Sequence, residues 1–280
     1  MNKIKLNYKD AIFMDGHTSR GNQPKWFVDG QWYKKDQWGY EGLAETMVSN
    51  ILVSSGINSV IYKPSMIEIE DKGIFPGCVS KNFIPEGKEL IPIHRLHRKI
   101  TGQGLMQTIF MHDSVEESIK YTVDFVQRVT GLNNFGEYLT KMLEFDAFFL
   151  NEDRHTNNIA LLMDTDSKEF LLCPYFDCGL SLLSDTNLFP FDKDLMKCIG
   201  DVQSRPFSSF EKQVDAARKL YGQQLSLNIN REEIEKLLNE LSEYYPESYI
   251  NRVSQVLDVQ MEKYPEMIQK NKVIEEIEER

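Results

Sequence analysis

The stretch from Asn151 to Gly179 constrains this chain more than any other. It opens with Asn151-Glu-Asp153-Arg154-His155-Thr-Asn157-Asn158 and closes with Tyr175-Phe176-Asp177-Cys178-Gly179. Between them lie two short apolar runs, Ile159-Ala-Leu-Leu-Met163 and Glu169-Phe-Leu-Leu-Cys173, separated by the polar Asp164-Thr-Asp166-Ser-Lys168. Two apolar runs around a turn-rich break predict a β-hairpin. A hairpin brings its ends back to within roughly 5 Å of each other, so Asn158 and Asp177 are expected side by side. Ahead of the loop, apolar residues recur at helical spacing from Phe135 to Leu150, so Asp153 should follow a buried helix directly. A carboxylate and an amide oxygen held together suit Mg²⁺, which takes a few hard oxygen ligands and leaves its other positions to water and phosphate.

This order of residues has a chemical meaning. An Asp, an Asn five positions later and then an Asp-x-Gly are the parts that phosphoryl transfer from a metal-bound nucleotide requires. The first Asp orients the attacking hydroxyl, and the Asn and second Asp hold the metal against the phosphates. Such a protein does little covalent work, so what matters is the placement of oxygens around one spot.

The N-terminal part supplies matching pieces. Gly16-His-Thr18-Ser19-Arg-Gly21-Asn-Gln23-Pro-Lys25-Trp-Phe-Val28 contains glycines that let backbone N–H groups approach an anion. Asp29-Gly30 is a hairpin turn signal, and the following Gln31-Trp32-Tyr33-Lys34-Lys35-Asp36 reads as a strand bearing lysine. Strand lysines in this chemistry hold phosphates and pair with a Glu of the next helix. Lys34 and Lys35 point to opposite faces, so one can serve; Lys34 is preferred. The helical pattern around Gly42–Leu52 offers Glu45, with Glu41 as the alternative.

Asp153-Arg-His-Thr-Asn-Asn158 resembles the loop of HipA-type serine/threonine kinases. Phosphatidylinositol-3/4-kinase-like enzymes share the Asp-Arg-His order, whereas typical eukaryotic protein kinases use His-Arg-Asp. The contexts Phe149-Leu-Asn-Glu-Asp-Arg-His155 and Tyr175-Phe-Asp-Cys-Gly-Leu-Ser181 look more like HipA. Ser19-x-Gly21-x-Gln23-x-Lys25 is similar to the family's Ser-x-x-Gly-x-Gln-x-Lys, one residue shorter, and the position of Ser55-Gly56-Ile57 favours Glu45 over Glu41.

The resemblance implies an α+β, bilobal protein-kinase-like fold with a small β-rich N-lobe and a larger helical C-lobe. It implies ATP and Mg²⁺ as cofactors and a protein Ser/Thr hydroxyl as acceptor, and it leaves room for an antitoxin-type regulatory protein as partner. Asp153 would be the catalytic base, with His155 and Arg154 supporting its loop. Asn158 and Asp177 would bind metal, and Ser19, Gly21, Gln23, Lys34 and Glu45 would surround the nucleotide. Ser19 is the expected autophosphorylation site. The chain departs from larger relatives in two ways. It starts almost at the phosphate loop, as a short stand-alone member would, and it reads Asp177-Cys178-Gly179 with no Ala-Pro-Glu downstream.

Residues 1–84 read as the N-lobe, with a helix at 41–54 and strands around Trp26–Val28, Gln31–Lys34, Ser59–Lys63, Met66–Glu70 and Cys78–Phe83. Pro85-Glu-Gly87 has turn chemistry and opens a hinge and connection over 85–113; Asn82 and Phe83, with Ile84, are expected against the adenine. The C-lobe over 114–280 carries helices Ser114–Val129, Asn134–Leu150, Ser208–Tyr221, Arg231–Tyr245 and Ser248–Tyr264, the fourth started by an Asn230/Glu233 capping box. Leu183–Pro206 reads as a long irregular, substrate-contacting segment.

The net charge of −11 disfavours a general nucleic-acid surface, with His94-Arg95-Leu-His97-Arg98-Lys99 as a local basic exception. The four cysteines form no Cys-x-x-Cys pair and read as reduced thiols. No apolar run approaches the ~20 residues of a membrane span, and no apolar stretch follows Met1, so a cytoplasmic protein without membrane contact is expected.

Overall fold

A computed structural model describes residues 3–12 and 23–269. The first part of the chain builds a curled sheet on one helix. Its strands are β1 (Lys3–Leu6), β2 (Lys25–Val28), β3 (Gln31–Lys35), β4 (Tyr62–Ile69) and β5 (Gly73–Lys81), in the order β1-β4-β5-β3-β2. Asp29 and Gly30, with φ of 49° and 74°, close the β2–β3 hairpin and set Lys25 opposite Lys34. Helix α1 (Glu41–Ser54) packs Leu43, Met47, Val48, Ile51 and Leu52 into the core.

Sequence patterning broke one strand into two. Ser59–Lys63 and Met66–Glu70 are largely a single strand, β4, which runs through Pro64. A proline lacks the N–H that a central strand needs. Among the described residues β1 pairs with β4 from Met66 onward, so no described strand on that side calls on the missing donor. Pro76 in β5 lies beyond the end of β3, which stops opposite Gly77.

Gly77 itself cannot be enlarged. A Cβ there would stand 2.1 Å from the Lys34 carbonyl oxygen. We expect Gly77→Ala to push β3 away and lower stability by about 1–3 kcal/mol, read as a fall in the midpoint of thermal unfolding; an unchanged midpoint would show that β3 is not held this closely.

The predicted hairpin forms as β7 (Ala160–Asp164) and β8 (Phe170–Leu172), and β6 (Lys88–Pro92) joins it to make a second sheet in the order β6-β7-β8. The turn Pro85–Lys88, closed by Lys88 N–H to Pro85 O at 3.1 Å, connects the two sheets. Three helices occupy stretches read as connection or irregular chain: α2 (Ile93–Thr101), α3 (Leu105–Ile109) and α6 (Leu195–Asp201). Each is short; α2, nine residues long, carries an apolar stripe at Ile93, Leu96 and Ile100 that sequence reading left inside the basic run His94–Lys99.

The C-lobe is completed by α4 (Val115–Thr130), α5 (Phe135–Phe149), α7 (Phe210–Tyr221), α8 (Arg231–Leu241) and α9 (Glu247–Lys263). The Asn230/Glu233 capping box is present, but α8 stops at Leu241 rather than Tyr245. Helix α5 is buried almost all round and ends at Leu150, whose φ of 57° turns the chain sharply into Asn151. Among the described residues no helix is long and apolar enough to cross a membrane, and all four cysteines are buried and free.

Candidate functional site

One buried arginine organises the loop that follows α5. The Arg154 guanidinium is fully buried and meets both oxygens of Asp146 on α5, at 2.8 and 3.1 Å. Its Nη1 donates to the carbonyls of Asn158 at 3.1 Å and Phe176 at 2.9 Å, and its Nη2 lies 3.3 Å from Cys178 Sγ. A planar fork with five donors suits such multiple ties. A single nitrogen thus reaches both ends of the β7–β8 hairpin, which places Asn158 and the residue before Asp177 next to each other. Asp146 was not singled out from sequence; its only trace is one acid inside an apolar helix.

Asp177 sits at φ +60°, in the left-handed region. Its Oδ1 is 2.9 Å from Lys34 Nζ, which is also 2.5 Å from Glu45 Oε1. Glu45 Oε2 in turn accepts the N–H of Cys178 at 2.9 Å. Strand β3, helix α1 and the Asp177 loop therefore close on one buried cation. Burial alone would push Lys34 down, but Asp177 and Glu45 outweigh it and hold the ammonium well above its ordinary value. Burial would likewise raise Asp177, but Lys34 and then Lys25 outweigh it and keep the carboxyl far below the usual range.

The two open choices separate by geometry. Glu41 spends its oxygens on the backbone N–H groups of Gln37, Trp38 and Gly39, at 2.8 to 3.0 Å, and so shapes the turn before α1. Lys35 donates to the Asp36 carbonyl at 2.8 Å and lies over the Phe75 ring, on the other face of the sheet.

Lys25 is a cation that sequence reasoning left inside a motif and did not assign to the site. It is the cross-strand partner of Lys34. Burial pushes its ammonium down, with Asp177 opposing and Lys34 adding to the fall. Two lysines thus act on one carboxylate. Gln23, two residues before β2, donates to the Lys35 carbonyl at 2.9 Å. Ser19 and Gly21 lie outside the described residues.

Asn158 donates through Nδ2 to the Asp153 carbonyl at 3.2 Å, which leaves its Oδ1 as an acceptor. Asp153 receives its own orientation from the loop: its N–H donates to Asn151 Oδ1 at 3.2 Å, and its carbonyl accepts the N–H of His155 at 2.7 Å. The His155 Nε2 is 3.7 Å from Asp153 Oδ2. Phe83 stacks on Phe176 at 5.3 Å between centroids, against Val60, Tyr62 and Cys78. Asn82 instead closes its own turn, with Nδ2 on Ile84 O at 3.2 Å and its N–H on Gly30 O at 2.9 Å. An apolar wall therefore runs up to the residue before Asp177, and Phe83 rather than Asn82 faces it.

The donor set fits Mg²⁺. Asn158 Oδ1 and the second oxygen of Asp177, which takes no hydrogen bond among the described residues, are hard oxygens on adjacent chain segments. Among the described residues no cluster of three His, Cys, Asp or Glu side chains could hold a metal unaided, so water and phosphate would supply the remaining ligands.

No family model matches the chain, and no curated protein matches it. Solved structures do match by shape. The crystal structure of the Helicobacter pylori proinflammatory kinase CtkA superposes with a TM-score of 0.60 at 15% identity, over 94% of this chain and 96% of that one. HipA of Shewanella oneidensis MR-1, from its complex with HipB and operator DNA, gives 0.52 at 12% identity, over 90% of this chain and 67% of that one. The fold is that of the HipA-like kinases. Within this kinase fold, α+β and two-lobed, the cluster just described joins β3 and α1 of the small lobe to loops of the helical one.

Proposed function

We propose that the protein transfers the γ-phosphate of ATP, with Mg²⁺, to a Ser or Thr hydroxyl of a protein substrate. The observation that carries this reading is the Glu45–Lys34–Asp177 chain of contacts, set beside Asn158 and Asp153 by the single guanidinium of Arg154. Lys34 and Lys25 hold phosphate oxygens as cations. Phe83, Phe176 and Val60 offer the adenine an apolar face. Mg²⁺ bound by Asn158 and Asp177 would neutralise charge on the phosphates. Asp153 orients the attacking hydroxyl and takes its proton as the new P–O bond forms and the bond to the ADP oxygen breaks. His155 keeps the Asp153 loop in shape through its backbone N–H.

Calorimetric titration with ATP, in Mg²⁺ and then in a chelator, tests the metal reading directly. ATP is expected to bind on the order of tenfold more tightly with Mg²⁺, and Asn158→Ala to erase that difference. Identical binding with and without metal would overturn the assignment of Asn158 and Asp177. A partner of the antitoxin kind is supported by one likeness, since the Shewanella HipA structure contains HipB and operator DNA. The net charge of −11 opposes direct nucleic-acid contact by this chain.

A further inference from the structure

A cavity lined by none of the residues of the Lys34–Asp177 cluster opens beside the Asp153 loop, with a volume near 760 Å³. Leu150, which precedes the loop, and His155, two residues past Asp153, form one wall. Val202, Phe207 and Phe210 line its buried part, and Phe110 stands on the rim, 73% exposed. Lys263 and Glu211, both in the lining, pair with each other at 2.7 Å, and Arg205 adds a further cation to the lining. Such a site suits a large apolar side chain.

Helix α2 adds charge beside it. Its first turn is bound to the same loop, by Ile93 N–H to Ile159 O at 2.9 Å and His94 N–H to Thr156 O at 3.4 Å. Arg95, Arg98 and Lys99 are exposed and form no ion pair among the described residues. His94 and Arg98 stand one turn apart on one face. Burial lowers the His94 imidazole, and Arg98, His97 and His155 push it the same way. These cations are notable in a chain of net charge −11, because an acidic segment is repelled by most of this surface and attracted here.

We infer that the cavity and the basic edge of α2 form the docking groove for the acceptor segment: a peptide that presents Ser or Thr to Asp153, seats one large apolar side chain in the cavity, and sets acidic residues against Arg98 and Lys99. This rests on the kinase reading and adds the substrate class to it. The cavity also absorbs part of the segment after Asp177, whose residues 202–208 supply much of its lining.

The test uses the full chain, ATP and Mg²⁺, with synthetic peptides in which Leu and Glu are walked through the positions flanking a central Ser. The best peptide is expected to beat its Leu→Ala and Glu→Lys relatives by on the order of tenfold in kcat/KM. Phe110→Ser should erase the Leu preference, and the double variant Arg98→Glu/Lys99→Glu should invert the charge preference. All three positions are exposed, and peptide-free ATP turnover should not change in either variant. Peptides with Ala in place of the acceptor Ser, read by fluorescence anisotropy, separate the two claims. Phosphate transfer with equal efficiency to every peptide would overturn the groove and leave the kinase standing. Selective binding without any transfer would overturn the kinase reading, and with it the acceptor role. If the double variant loses binding to anionic vesicles or single-stranded RNA while its peptide preferences stay intact, the basic edge serves another ligand and the inference fails.

Discussion

Replacing Asp153 by Asn is expected to lower phosphate transfer by roughly 10²–10⁴-fold while ATP affinity stays within about twofold. The substitution keeps the shape of the side chain and every backbone contact that sets the loop, including the Asp153 N–H on Asn151 and the His155 N–H on the Asp153 carbonyl. It removes the negative charge, which His155 Nε2 approaches at 3.7 Å, and the capacity to take a proton. The cation network around Lys34 does not involve Asp153, so nucleotide and metal should still bind. Steady-state turnover and calorimetric titration of the same preparation would show a loss in kcat alone. A matching loss of ATP affinity would mean that Asp153 holds the nucleotide and is not the group that orients the acceptor.

The largest effect on stability should come from Arg154. Arg154→Met would leave the Asp146 carboxylate buried without its partner and strip a donor from the carbonyls of Asn158 and Phe176. Breaking one side of a buried pair costs about 3–5 kcal/mol, a fall of roughly 10 °C in the unfolding midpoint for a chain of this size. Arg154→Lys should recover little, because a point charge cannot reproduce the fork that meets both Asp146 oxygens. The double variant Arg154→Met/Asp146→Leu should be more stable than Arg154→Met, since it removes the stranded charge, yet remain inactive because Asn158 and Asp177 are no longer tied together. Differential scanning calorimetry of the set checks the order. A single variant that melts with the wild type would show that the loop does not depend on this arginine.

What could be read from the sequence was what local periodicity and short-range turn chemistry dictate. Helix 41–54 and the helix ahead of Asp153 carry strong apolar repeats, and the β7–β8 hairpin is announced by its polar break. The α+β two-lobed fold was implied by the resemblance of the Asp153 and Asp177 motifs and is what the solved kinases share. Contacts between distant segments left weaker marks. Glu41 and Glu45 are one turn apart on α1, and spacing alone leaves both open; they differ because the turn at 37–39 occupies Glu41. The pairing of Asp146 with Arg154 is invisible without the turn at Leu150 that folds the loop back over α5. Lys25 becomes a neighbour of Lys34 only once the β2–β3 register is fixed. The sequence reading split β4 at 64–65, and Pro64 nonetheless sits inside the strand. Helix α6 buries only Cys198 and is held by an Asp194 cap instead, its side chain accepting the Lys197 N–H at 3.0 Å.

The most direct test of phosphate transfer is intact-mass spectrometry of the wild type and Asp153→Ala, each incubated with ATP, Mg²⁺ and a pool of Ser- and Thr-containing peptides. A phosphate-sized gain on the protein or the peptides with the wild type, and none with Asp153→Ala, is the expected result. No gain with either protein, or the same gain with both, would contradict a kinase that works through Asp153.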